Sequence, residues 1–172
     1  MTTAVINQVA NANIYLNGNN HLGRAKTVKT PEFEVEFVEH DNLGLIGKIK
    51  LPNKVNALEG EITWDGFYPE VAALGYNPFK SNQLMVRANV QAFNSLGVVA
   101  EVPLVITMTV DFNKFNVGEY KKEPTEYPMA YQVKNIKQVI DGKEVLFYDA
   151  FSNQYRVAGQ DILQKFRSNI GG

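Results

Sequence analysis

Apolar residues recur at every second position along most of the chain, and the segment from Tyr127 to Phe151 shows this pattern most completely. From Tyr127 to Val133 they alternate with small or polar residues, which is typical of a β-strand with one buried face. Asp141-Gly142-Lys143 then favours the positive backbone dihedrals of a tight turn. The run from Glu144 to Tyr148 is β-branched and aromatic, which is typical of a strand covered on both faces. The pattern predicts a long β-hairpin that needs neighbouring strands.

Other segments with the same periodicity supply such strands. Short apolar runs around Asn17-Gly18 predict an N-terminal hairpin whose second strand continues weakly through Leu22 to Val28. Six residues of strict alternation, from Glu32 to Phe37, predict a strand with one aromatic face and one acidic face. Two long antiparallel strands with polar outer faces are predicted over 84–92 and 102–112.

Three local departures from alternation are also informative. The apolar phase shifts between Val133 and Ile136, which predicts a β-bulge near Asn135. A proline in the first turn, an apolar spacing of three and a final glycine predict a short helix within 68–75. Helical spacing returns at 160–168 and predicts a C-terminal helix. Residues on the apolar phase of their segments are predicted to be largely buried: Trp64, Ile106, Met108 and Phe166.

These elements predict a mainly β fold in a single domain over residues 1–172, an antiparallel two-sheet barrel or sandwich with a short internal helix and a C-terminal helix. The net charge of −1 argues against a sequence-wide attraction to nucleic acid or anionic membrane. The chain has no cysteine, which excludes disulfides and thiolate metal sites. Its N-terminus lacks the basic and apolar regions of a signal peptide, so we expect synthesis in the cytoplasm.

Alternation fails between Glu39 and Val55, where glycines and a proline interrupt an apolar run. Loops this long are uncommon inside compact domains and are usually functional or mobile. Its apolar residues favour burial against a partner, although an internal hairpin over 45–51 with two lysines outward explains the same pattern. The candidate contact residues of this extended loop are Asp41, Asn42, Leu43, Leu45, Ile46, Lys48, Ile49 and Leu51.

The sequence contains no convincing catalytic or cofactor motif. Its two histidines, His21 and His40, have no partner at metal-ligand spacing. No nucleophile motif accompanies His40, and no glycine-rich phosphate loop follows a predicted strand. Regularly spaced glutamates fit solvated strand faces better than paired catalytic carboxylates: Glu32, Glu34, Glu36, Glu59 and Glu61. We therefore expect neither an enzyme nor a bound cofactor or metal.

Several short motifs occur in a distinctive order along essentially the whole chain. They are an Ile14-Tyr15-Leu16-Asn17-Gly18 hairpin, a Thr30-Pro31 strand entry, a Gly-containing loop before Trp64, the Asp141-Gly142-Lys143-Glu144-Val145 turn, Asp149, Asn153, Asp161-Ile162-Leu163 and a final Arg167-Ser168-Asn169-Ile170-Gly171. In this order and spacing the sequence resembles the major tail tube proteins of contractile-tailed bacteriophages and R-type bacteriocins.

The resemblance implies a structural protein that forms hexameric rings, which stack into a hollow tube inside a contractile sheath. Adjoining sheets would form one continuous β-barrel around the lumen, a conduit for DNA or other cargo that passes without specific binding. The implied partners are further copies of the chain and the sheath, baseplate and tape-measure proteins. The implied place is the tail of a virion or tail-like particle, assembled in the bacterial host cytoplasm.

On this interpretation the 39–55 loop clasps the neighbouring ring. A polar strand face lines the lumen and repels DNA phosphates with its acidic residues, Glu34, Glu36, Glu59 and Glu61. The same face could instead meet the sheath or solvent. A different class of function is a β-barrel carrier that holds a small apolar ligand inside. An enzyme on a β scaffold is a third class, for which no catalytic constellation is present.

Overall fold

The computed structural model describes residues 3–172, and the fold is mainly β, as predicted. No helix formed by these residues is long and apolar enough to cross a membrane. The elements in chain order are β1 (Ile6–Leu16), β2 (Asn19–Asn20), β3 (Ala25–Lys29), β4 (Val35–His40), β5 (Ile49–Val55), β6 (Leu58–Trp64), α1 (Pro69–Gly75), β7 (Asn82–Asn94), β8 (Gly97–Phe115), β9 (Tyr127–Ile140), β10 (Lys143–Asp149), β11 (Gln154–Val157), β12 (Gln160–Asp161) and α2 (Gln164–Ile170).

The strands form two antiparallel sheets. The larger sheet has the order β12-β11-β10-β9-β8-β7-β1-β2, and a branch of β6 and β3 joins it at β9. The smaller sheet contains only β4 and β5. The predicted central hairpin is confirmed as β9 and β10, and its turn has positive φ at Asp141 (49°) and Gly142 (74°).

Strand β9 changes partner halfway along its length. Its residues 127–133 pair with β6, and residues 135–140 pair with β10, while its other edge pairs with β8. The predicted bulge lies at this changeover, because the β8 register moves from Asn135 to Val133 and leaves Lys134 without an opposite residue in β8. The Lys134 ammonium contacts Asp111 Oδ2 at 2.9 Å and donates to Ser81 Oγ at 2.7 Å. These contacts hold the bulge in place.

The core lies on one face of the larger sheet and beneath α1. Its largest fully buried side chains include Trp64, Tyr131, Phe112 and Met108. The Tyr131 hydroxyl donates to the backbone oxygen of Lys29 at 2.9 Å and so ties β9 to β3 across β6. Gly60 on β6 lies directly beneath this hydroxyl, and a Cβ there would stand 2.4 Å from Tyr131 Oη.

Several predictions need correction. Phe166 is 48% exposed, because α2 buries none of its residues. Ile106 is only partly buried, although it packs against the core. The C-terminal helix begins at Gln164, since Gln160 and Asp161 form β12. The segment after the first hairpin becomes a strand only at Ala25, and it pairs with β6 instead of with β1.

Candidate assembly surfaces

Strands β4 and β5 form a two-stranded hairpin, here called the arm, that stands apart from the rest of the fold. Val35 pairs with Val55 and His40 with Ile49, which leaves 41–48 as the tip. The predicted 39–55 loop is thus mostly the outer half of a hairpin. The alternative internal hairpin over 45–51 is wrong, because the strand after the tip pairs back with 35–40. Leu43 and Ile46 at the tip are fully exposed, at 104% and 109%.

Within residues 3–172, the contacts that fix the arm to the body lie at its root. The Phe33 ring lies 5.7 Å from the Tyr148 ring and 5.3 Å from the Tyr155 ring, between centroids. The Asn56 amide donates to the Glu34 backbone oxygen at 2.9 Å and closes the base. The apolar residues beyond the root remain exposed on the free subunit: Phe37, Val38, Leu43, Leu45, Ile46, Ile49 and Leu51.

Three of the four glutamates proposed to line the lumen lie close together beside the arm's root. Glu59 and Glu61 line a shallow depression of about 270 Å³, and Glu34 and Glu59 line a second of about 180 Å³. Both depressions also contain Lys29. Glu36 lies farther along the arm, 3.6 Å from Lys54 Nζ. Both depressions are small and carry a lysine and two or more glutamates, which does not suit a carrier of apolar ligands.

The outer face of β7 and β8 is a second polar surface. The sequence analysis predicted that this face is polar, but it did not include the face in the predicted lumen. Gln83 Nε2 donates to Thr109 Oγ1 at 3.0 Å across the two strands. Asn89 and Gln91 both donate to the Glu101 carboxylate, at 3.0 and 2.8 Å. These two hydrogen bonds, with Gln91 the larger cause, lower the pKa of Glu101. The face is therefore rich in amides and hydroxyls and weakly charged.

An exposed group of aromatic residues surrounds the end of α1, and sequence reasoning missed it. This aromatic patch consists of Phe67, Tyr76, Val117 and Tyr120 over a floor of Phe115 and Tyr127. Ring centroids are 5.8 Å apart for Phe67 and Tyr127, and 5.1 Å apart for Tyr76 and Phe115. The residues come from separate loops, so no single periodic segment could reveal the patch.

One long edge of the larger sheet is open. Over residues 6–13, β1 pairs with β7 on one side, and no strand among residues 3–172 pairs with its other side. This edge carries neither a charged residue nor a proline, and Ile6 and Val9 on it are exposed. Monomeric proteins usually protect such edges, so an unprotected edge indicates pairing with another chain.

The described residues offer little for catalysis. Residues 3–172 contain no group of three or more His, Asp or Glu side chains that could hold a metal ion. His21 is buried with its ring edge against Trp64, at 5.4 Å between centroids, and burial followed by the Arg24 charge lowers its pKa. Lys134 donates to Ser81 Oγ and forms an ion pair with Asp111, and the structure assigns both contacts to the bulge of β9.

Comparisons with known proteins identify the family. The sequence model of a family described as "Phage tail tube protein FII" matches residues 6–171. The tail tube protein of Escherichia phage P2 is 27% identical over 163 residues, which cover 92% of this chain and 94% of that protein.

Two solved structures share the fold. One is a chain of the PVC sheath/tube terminator of an extracellular contractile injection system in the extended state, with a TM-score of 0.52 and 7% identity over 74% of this chain and 92% of that one. The other is a chain of the PVC sheath-tube complex in the extended state, with the same TM-score and identity over 74% of this chain and 87% of that one.

Proposed function

This chain belongs to the phage tail tube protein FII family, and from that premise we propose that it assembles into hexameric rings that stack through the arm. It is a structural protein of the tail tube of contractile-tailed phages and related particles, not an enzyme, and its place is the virion tail. The stacked rings form the inner tube, a conduit for DNA or other cargo.

The exposed apolar arm is the observation that carries the ring-stacking role. A subunit that remained alone would keep Leu43, Leu45 and Ile46 in water. Burying each such side chain against a neighbouring ring contributes roughly 1.5–3 kcal/mol. The proposed contact residues are those of the tip and the start of β5: Asp41, Asn42, Leu43, Leu45, Ile46, Lys48, Ile49 and Leu51.

A double variant, Leu45→Asp with Ile46→Asp, tests this role. Both side chains are exposed, so we expect the variant to fold with an unchanged thermal unfolding midpoint and to form single rings without tubes. Electron micrographs of wild type and variant measure tube length. The control is Leu22→Asp, at an exposed leucine outside the arm, which should give normal tubes. Normal tubes from the double variant would exclude the arm as the clasp, and loss of folding would place these residues in the core.

We also propose that Glu34, Glu36, Glu59 and Glu61 face the lumen. The proximity of three of them around one lysine supports an acidic wall, which would repel phosphates and let DNA slide. Because the chain has no cysteine, Glu34→Cys and Glu61→Cys variants each carry a single thiol. In assembled tubes we expect these thiols to react slowly with a thiol reagent that is too bulky to enter the lumen. If the thiol at position 61 reacts rapidly while the thiol of a Thr107→Cys variant reacts slowly, the face of β7 and β8 lines the lumen instead.

The remaining partners follow from the same role. The solved structures that share this fold come from a sheath-tube complex and a sheath/tube terminator. We propose that the outer surface of the tube contacts a sheath, that its ends meet a baseplate and a terminator, and that a tape-measure protein occupies the lumen during assembly. Co-purification of tubes with sheath subunits, retained at high salt, is the measurement that checks the first contact.

A further inference from the structure

The arm and the aromatic patch lie at opposite ends of β6. The arm joins β6 at Leu58, and the loop to α1, which carries Phe67 of the patch, leaves β6 at Trp64. Seven residues of strand separate the two ends by about 20 Å. The other side of the patch comes from the loop between β8 and β9, which meets β6 at the Trp64 end because Trp64 pairs with Tyr127.

Head-to-tail stacking requires this kind of arrangement. An interface that repeats without closing joins two different surfaces of the same chain, one at each end. A clasp at one end of the subunit therefore needs a receptor of matching chemistry at the other. The arm tip is mainly apolar, with Asp41 and Lys48 as its charged residues. The patch contains no charged residue, so covering it with apolar side chains buries no unpaired charge.

We propose that the aromatic patch, Phe67, Tyr76, Val117 and Tyr120, is the receptor for the arm tip of a subunit in the adjacent ring. The inference rests on the ring-stacking role proposed for the arm and names its partner surface. Leu43, Leu45 and Ile46 of one subunit pack on the exposed rings of the next, above the floor formed by Phe115 and Tyr127. The Phe67 and Tyr120 rings, which are open to water in the free subunit, become covered in the tube.

Thiol cross-linking tests the pairing directly, because the wild-type chain contributes no background cysteine. An Ile46→Cys variant is mixed with a Tyr120→Cys variant, assembled into tubes and treated with a short bismaleimide linker. Mass spectrometry then identifies the linked peptides. We expect a link between positions 46 and 120 in tubes and its loss in unassembled subunits. The control partner is Leu96→Cys, which is as exposed as Tyr120 but lies at the far end of β8. Complete tubes without the 46–120 link, or with 46 linked to 96, would overturn the proposal.

A second experiment separates this inference from the function on which it rests. A Val117→Asp, Tyr120→Asp variant changes the two most exposed residues of the patch, and its thermal unfolding should match wild type. We expect single rings and a loss of tubes, as for the arm variant. If the arm variant fails to form tubes while this variant forms normal ones, the patch is not the receptor but the arm is still the clasp. If the arm variant itself forms normal tubes, the stacking role proposed for the arm is wrong, and the inference about the patch is wrong with it.

Discussion

At the scale of single residues, Gly60 determines whether β3 and β9 can both approach β6. A Cβ at this position would stand 2.4 Å from both the Lys29 backbone oxygen and the Tyr131 hydroxyl. We predict that Gly60→Ala lowers the free energy of unfolding by about 1–3 kcal/mol, the usual cost of overpacking a filled site. Denaturant titration measures the change. Gly47→Ala in the arm tip is the matched control, because its Cβ meets nothing within 4 Å, and it should be neutral.

His21 makes the folded state sensitive to mild acid. Burial lowers its pKa below the ordinary value of about 6.5, so the unfolded chain binds a proton more tightly than the folded chain. The free energy of unfolding is therefore greatest above pH 6.5 and falls as the pH drops below that value. The acidic groups with lowered pKa, Glu70, Glu101 and Asp111 among them, lose their contribution only near pH 4 and below.

We predict that His21→Phe, which retains an aromatic ring beside Trp64, removes most of the loss of stability between pH 7 and pH 5. Thermal unfolding across this range compares the variant with wild type. Gly47→Ala, in the arm tip, is the control and should retain the wild-type slope. An unchanged slope in His21→Phe would mean that another group controls the response.

At the scale of elements, the arm is the least supported part of the fold. Strands β4 and β5 pair only with each other, and the tip at 41–48 is exposed throughout. We predict rapid backbone hydrogen exchange of residues 39–50 in free subunits, because local opening there breaks few contacts. The same residues should become protected in tubes by at least ten-fold. Residues 106–112 of β8, at the core, provide the internal control and should be protected in both forms.

The sequence predicted elements whose signals are local. Asp141-Gly142 marks a turn by itself, and Pro69 with Gly75 marks both ends of α1. The phase shift between Val133 and Ile136 predicted the bulge near Asn135, because a bulge moves every later side chain to the other face, and the structure places it at Lys134. These features need no knowledge of what lies on the other side of the strand.

Long-range pairing was not readable in the same way. Nothing in the sequence of β9 shows that one half of this strand pairs with β6 and the other half with β10. The apolar spacing of Phe166 identified one face of α2 but not whether anything covers that face. The apolar residues of the 39–55 segment stood out in the sequence because they break periodicity, and their role in contacts between rings stays a prediction. The aromatic patch was missed because its members lie in loops separated by about 50 residues of sequence.

At the scale of the whole molecule, the open edge of β1 leaves the larger sheet unfinished. Closing a ring of identical chains would give this edge a partner strand and satisfy its free backbone groups. We predict that Val9→Lys changes the free energy of unfolding by less than about 0.5 kcal/mol, since the side chain is exposed. It should nevertheless prevent ring formation in analytical ultracentrifugation. Leu22→Lys, a similar change away from the edge, should assemble normally, and rings from Val9→Lys would show that another surface closes them.

The small apolar surface of a single arm affects how a tube grows. If rings stack through the arm as proposed, a single subunit at the end of a tube would bury the side chains of one arm and would dissociate quickly. In the proposed hexamer a closed ring would bring six arms at once, and linked weak contacts would raise the overall affinity by about 10²–10⁴ without any new type of contact. Growth therefore favours completed rings over single subunits. Subunits below the concentration needed to close a ring should remain in solution until an existing end or a baseplate provides a ring on which the next one closes.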